Sequence, residues 1–172
     1  MASRLSRVRE CRASMRRLRR WCQRPVLCGA LALMLVTVGG CTERLTNIVG
    51  KSMVPTLPDG ESVLMTRAFT DLERGDIVGY RYPKDESKSF IHRIIGVPGD
   101  RIESAQGRVR LNGQLLAEPY VDEANRSADS WGPLTIPDRQ YFVMGDNRRN
   151  SSDSRSWGLV ARDQIWAKVA RR

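Results

Sequence analysis

The residues that could do chemistry fall in a few short segments. One is Gly50-Lys51-Ser52-Met53-Val54-Pro55-Thr56-Leu57. A serine nucleophile works best at a strand end or tight turn, where its hydroxyl is exposed and its own backbone N–H can face a developing oxyanion. Gly50 lets the backbone approach closely, and Pro55 stiffens the exit. By itself this string equally fits an ordinary loop. His92 is the single histidine of the chain. A lone histidine is most often a satisfied structural or surface residue, and one histidine excludes a histidine-rich metal site. All four cysteines, Cys11, Cys22, Cys28 and Cys41, lie before residue 42. The remainder of the chain therefore forms neither a disulfide nor a cysteine–metal site.

The elements that must position these groups read as strands joined by turns. Val63–Thr66, Asp76–Tyr82, Ser89–Val97, Gln140–Met144 and Gln164–Val169 have β-rich composition bounded by Gly, Pro or polar residues. Arg108–Leu111 and Gln114–Leu116 flank Asn112-Gly113, the signature of a hairpin with a two-residue turn. No segment beyond residue 41 has a helical period of useful length, so a mostly β domain is expected over 42–172. Within it, Thr42–Lys51 reads as a tether and residues 117–137 as the longest surface loop.

The net charge of +10 suggests nucleic acid until it is located. Residues 1–24 carry nine arginines against Glu10 alone; the other 148 residues carry 20 basic and 18 acidic side chains. Basicity thus belongs to a cytoplasmic tail, 1–24, and no nucleic-acid partner is expected. An apolar stretch follows at 25–41. Basic before apolar is the pattern of an export signal or membrane anchor, with the positive end kept inside. Val26–Val38 would make a helix of about 20 Å, and Pro25–Cys41 about 25 Å, against a hydrocarbon core of about 30 Å. The stretch ends Val38-Gly39-Gly40-Cys41, which resembles the lipobox of bacterial lipoproteins. A cleaved lipid anchor at Cys41 and an uncleaved transmembrane helix both remain open, and both place residues 42–172 outside the cytoplasm.

Beyond the Ser52 segment come Arg74-Gly75-Asp76-Ile77-Val78, then His92-Arg93-Ile94-Ile95-Gly96-Val97-Pro98-Gly99-Asp100, then Gly145-Asp146-Asn147-Arg148-Arg149-Asn150-Ser151-Ser152-Asp153-Ser154-Arg155. In this order and spacing the four segments resemble the sequence boxes of type I signal peptidases, over residues from about 48 to 170. The resemblance implies an antiparallel β catalytic core behind a membrane anchor helix at the bacterial cytoplasmic membrane. It implies cleavage after small residues, at Ala-x-Ala-like sites, in exported preproteins. It also implies Ser52 as nucleophile, Met53 at the pocket for the residue before the cut, and no cofactor or metal. Asp76 and Arg74 would brace the core, and Arg93 with Asp146, and Asp153 with Arg155, would form ion pairs. A monomer is expected.

Two positions depart from the common pattern. The base position, usually lysine, is His92, as in the endoplasmic-reticulum signal peptidases and some bacterial relatives. Lys88 on the same strand face lies four residues away, about 13 Å, too far to replace it. Gly50 stands where some members carry a serine that adds a donor to the oxyanion hole. A histidine base also needs one ring nitrogen fixed by a partner; Asp153 and Ser151 are the candidates, Asp153 being favoured as the carboxylate. General preprotein processing competes with a specialised peptidase of a conjugation or secretion system. It competes also with a non-catalytic membrane-tethered envelope protein retaining the fold, although that would not need an intact Ser52 or final box.

Overall fold

The computed structural model describes residues 43–170. The basic tail expected at 1–24 and the apolar anchor expected at 25–41, with its lipobox, lie outside the described residues. Among the described residues no helix is long and apolar enough to cross a membrane.

Eleven strands carry the fold: β1 (Glu43–Asn47), β2 (Ser62–Thr66), β3 (Ile77–Tyr82), β4 (Asp85–Gly96), β5 (Arg101–Ala105), β6 (Arg108–Leu111), β7 (Gln114–Leu115), β8 (Trp131–Thr135), β9 (Gln140–Met144), β10 (Val160–Ala161) and β11 (Ile165–Val169). The single α-helical turn among the described residues is α1 (Ser154–Trp157). A seven-stranded sheet has the order β1-β2-β11-β3-β4-β9-β10, and a four-stranded sheet the order β7-β6-β5-β8. All pairings within the two sheets are antiparallel. The mostly β expectation holds.

The predicted hairpin forms as written. Asn112 and Gly113 have φ of 53° and 83°, the double positive φ of a type I′ turn, whose twist matches that of the strands it joins. Two expectations differ. Residues 43–47 are not a free tether but a strand paired along its length with β2, from Glu43 opposite Thr66 to Asn47 opposite Ser62. The supposed loop at 117–137 contains β8, which pairs only with β5. An edge strand leaves one side unpaired and so admits Pro133.

β4 organises the domain. It is the longest strand, and its second half is covered on both faces: Ile94 joins a cluster with Val78, Tyr80, Val143 and Ile165, whereas Ile95 joins Ile102, Phe142 and Met144 under the smaller sheet. Ile94 and Ile95 have no exposed surface, and each such side chain contributes roughly 1.5–3 kcal/mol by leaving water. Because successive side chains alternate across a strand, His92 and Arg93 face opposite ways from this buried rail. On its flanks lie β3 and β9, with Val78 opposite His92 and Met144 opposite Arg93. The segment that leaves β9 after Met144 is thereby delivered beside His92.

Candidate active site

Ser52 sits in the turn that follows β1. The loop is closed at its base by Ile48 N–H donating to Glu61 C=O at 2.8 Å and Gly60 N–H to Ile48 C=O at 2.9 Å. Met53 and Leu57 pin it to the core, both buried in a cluster with Ile48, Val63 and Met65. From the other side, the post-β9 segment grips its backbone. Asn147 N–H donates to the Ser52 carbonyl at 2.9 Å, and Asn147 Nδ2 to the Lys51 carbonyl at 3.1 Å. Gly145 makes this approach possible: a Cβ there would lie 2.5 Å from the Ser52 carbonyl oxygen and against Ser151 Oγ. Gly50 has φ of 102° and donates its N–H to Asp59 Oδ1 at 2.8 Å. A side chain at that φ would be strained, so the glycine is required by the backbone, and no hydroxyl donor stands there.

His92 is buried, 1% exposed. Its ring packs beside Phe90 and Trp157, with centroids 6.0 and 6.2 Å away and planes tilted by 10° and 28°, and those two rings are themselves 5.5 Å apart. Tyr80 Oη lies 2.7 Å from Nδ1, and Ser151 Oγ lies 3.4 Å from Nε2. Ser151 in turn donates to Asp153 Oδ2 at 2.8 Å. Asp153 also accepts from Gly145 N–H at 3.1 Å and from Arg155 Nε and Nη2 at 2.8 Å each. The chain Tyr80–His92–Ser151–Asp153–Arg155 thus crosses from β3 through β4 into the post-β9 segment.

The electrostatics follow from this burial. Burial lowers His92 from 6.5 to about 4, outweighing the upward pull of Asp153 and Asp146, while Arg155 adds to the lowering. The imidazole is therefore neutral at neutral pH. Burial pushes the Tyr80 phenol upward, and the Asp153 charge pushes it the same way. Burial alone would raise Asp153, but the hydrogen bond and charge of Arg155, with the Ser151 hydroxyl, hold it below the ordinary carboxylate value.

The expected ion pairs form: Arg93 with Asp146 at 2.6 Å and Arg155 with Asp153 at 2.8 Å. Asp146 also accepts from Thr56 Oγ1 at 2.5 Å, so the Arg93 pair ties the Ser52 loop to β4. Asp76 is buried and paired with Lys168 at 3.1 Å; Arg74 pairs with Asp100 at 2.9 Å. Lys88 is exposed and engaged by Asp85 at 3.0 Å. Met53 and Ser52 line a groove of about 370 Å³ with Ile48, Ile91, Phe90 and Trp166. The structure brings Ser151 to His92, whereas Asp153 reaches the ring only through Ser151, because its oxygens are filled by Gly145, Arg155 and Ser151 itself. Among the described residues Ser52 Oγ makes no hydrogen bond, to His92 or elsewhere. Sequence reasoning missed Tyr80. The β alternation of 76–82 was available, but the register that sets Tyr80 beside His92 was not.

The chain is similar in sequence and in fold to known proteins. Residues 18–172 match the family model described as signal peptidase, peptidase S26. A relative from Synechocystis sp., named "Probable signal peptidase I-2", is 42% identical over 131 residues, 71% of this chain and 59% of that protein's own length. A "Signal peptidase I" of Bacillus amyloliquefaciens is 39% identical over 128 residues, 67% of this chain and 68% of the relative. The crystal structure of a signal peptidase I from Enterococcus faecalis V583 is similar with a TM-score of 0.53 at 27% identity, covering 60% of this chain and all of that one.

Proposed function

The chain belongs to the signal peptidase family, peptidase S26, and on that premise we propose that it is a membrane-associated serine endopeptidase that removes N-terminal signal peptides from exported preproteins, with Ser52 as nucleophile and His92 as base. The observation that carries the assignment is the double reach of the post-β9 segment. Asn147 clamps the Ser52 carbonyl while Ser151 touches His92, so one rigid turn sets both groups.

Ser52 Oγ attacks the scissile carbonyl carbon as its proton passes to Nε2 of His92. The carbonyl oxygen becomes an oxyanion facing the Ser52 N–H, which donates to no other group among the described residues. His92 then returns the proton to the leaving amine, the new N-terminus of the mature protein. A water deprotonated by the same nitrogen releases the signal peptide from the acyl-enzyme. Met53 walls the groove beside Ser52 and admits small residues before the cut. The protein works as a monomer with its N-terminus in the cytoplasm and residues 43–170 on the outer face of the bacterial cytoplasmic membrane.

Incubating the full chain in detergent with a model preprotein, and mapping the product by mass spectrometry, tests this. A cut after a small residue, lost in Ser52→Ala with the fold unchanged, is expected. Normal turnover by Ser52→Ala would overturn the serine-peptidase mechanism.

A further inference from the structure

In an extended peptide every second side chain points the same way, about 6.6 Å apart. A preprotein lying along the groove to Ser52 therefore turns two side chains to the same wall: the residue before the cut and the third residue before it. Met53 stands beside Ser52 and meets the first; the second needs a wall of its own. We propose that Trp166 supplies it: its indole closes the groove away from the cut and sets the size limit on the third residue before it. The inference rests on the reading of Ser52 as nucleophile and of the groove as the seat of the preprotein.

A β-bulge brings the indole to that wall. In the pairing of β11 with β3, Ile165 is opposite Tyr80 and Ala167 is opposite Gly79, so β11 spends two residues where β3 spends one, and Trp166 is the extra one. A bulge of this kind breaks the alternation of side chains and re-aims one of them. Ile165 joins the core cluster of Val78 and Tyr80, whereas Ala167 joins that of Met53 and Ile48. Trp166 packs against this second cluster together with Ile91, so two successive side chains of β11 serve the same face. Gly79 leaves the room: a Cβ there would lie 2.8 Å from Trp166 Cζ2. The Arg67 guanidinium stands 6.0 Å over the indole.

The indole stands between two hollows. One is the groove that holds Ser52 and Met53, about 370 Å³; the other, also about 370 Å³, is lined by Arg44, Leu45, Thr46, Asn47 and Trp166. The two share Thr46, Asn47 and Trp166, so β1 and the indole form the partition, whereas Met53 borders the groove alone. Thr46 and Asn47 lie on β1, ahead of the turn that carries Ser52, which sets the partition away from the cut. The Trp166 Nε1–H is buried and has no hydrogen-bond partner among the described residues. An unmade bond of a buried donor is a cost, so no polar contact accounts for an indole here; its bulk does. Shortening this side chain joins the two hollows and leaves the Met53 end as it is.

The test compares the full chain in detergent with Trp166→Ala and Trp166→Leu on three model preproteins. One has alanine at both positions, one has leucine at the third residue before the cut, and one has leucine directly before it. The unaltered protein should favour alanine over leucine at the third position on the order of 10²-fold in kcat/KM, and the variants should reduce that preference at least tenfold, because the fit of a side chain in a pocket discriminates by about 10–200-fold. The preference directly before the cut, where Met53 stands, should stay within about twofold. Each preference is a ratio taken within one protein, so a partial loss of fold or of catalytic rate cancels. Trp166→Leu keeps an apolar side chain in the bulge and carries the test if Trp166→Ala does not fold. An unchanged preference at the third position in a variant that cuts the alanine substrate would overturn the inference. Equal relaxation at both positions would overturn it too, since the groove would then have loosened as a whole. Failure of the unaltered protein to cut the alanine substrate would strike the peptidase reading itself, and this inference with it.

Discussion

At the scale of single residues, His92 pays for its position. It is the one histidine in the chain, it is buried, and its Nδ1 faces a phenol instead of a carboxylate. Burial leaves its pKa at about 4 against an ordinary 6.5. Between those values the unfolded chain binds the proton that the folded chain refuses, so stability rises with pH across this window. The contribution is complete above about pH 6.5 and is lost as pH falls to about 4, on the order of 3 kcal/mol in all. Thermal unfolding followed from pH 7 to pH 4.5 should show a decline in the protein that is much weaker in His92→Gln. Parallel slopes for the two would mean that the ring is already charged or solvated in the fold.

At the scale of elements, the Ser52 loop and the post-β9 segment meet at Gly145. A methyl group there falls against Ser151 Oγ and 2.5 Å from the Ser52 carbonyl. Separating these walls costs about 1–3 kcal/mol of overpacking, and a shift of about 1 Å in a catalytic group can cost about 10²-fold in rate. Gly145→Ala is therefore expected to keep a cooperative but lower unfolding midpoint and to lose about 10²-fold in kcat on a model peptide. Unchanged kcat would show that the contact does not set the geometry. The strands that frame this contact, β3, β4 and β9, were legible in the sequence because they alternate or run apolar and end at Gly or Pro. β1 (ERLTN), β5 (RIESA) and β8 (WGPLT) were not. β1 and β8 lie at sheet edges, and all three are short and charged or broken by Gly-Pro, so no clear apolar alternation marks them. Ser52, His92, Ser151 and Asp153 were legible as a set because the boxes carry them. Tyr80 was not, because its register depends on the connection after Tyr82, where β3 and β4 slip by a bulge between Arg81 and Tyr82.

At the scale of the whole molecule, β1 replaces the flexible tether with structure. The chain enters the seven-stranded sheet at Glu43, runs to Asn47 and turns directly into the Ser52 loop. Cys41 and Ser52 are at most about 36 Å apart even if the connection were fully extended at about 3.3 Å per residue. An anchored protein would then hold its groove close to the bilayer, where a signal peptide emerges. A long flexible insertion after Thr42 leaves β1 intact, so it should reduce cleavage of membrane-embedded preproteins several-fold while sparing short soluble peptides. An equal loss on both substrates would contradict anchoring as a determinant of activity.

The central claim, that His92 is the base, is tested most directly by the pH dependence of kcat/KM for a model preprotein, measured on the protein and on His92→Ala. The protein should hold its activity through neutral pH and fall only on an acid limb well below the ordinary imidazole value, near the His92 pKa of about 4. A neighbouring carboxylate bonded to Nδ1 would have moved that limb upward; Tyr80, Ser151 and the buried ring do not. His92→Ala should be lower by on the order of 10³–10⁶ at every pH, as when a base that acts as a unit with its nucleophile is removed. An active His92→Ala enzyme with the same acid limb would contradict the claim, because the proton of Ser52 would then be going to some other group.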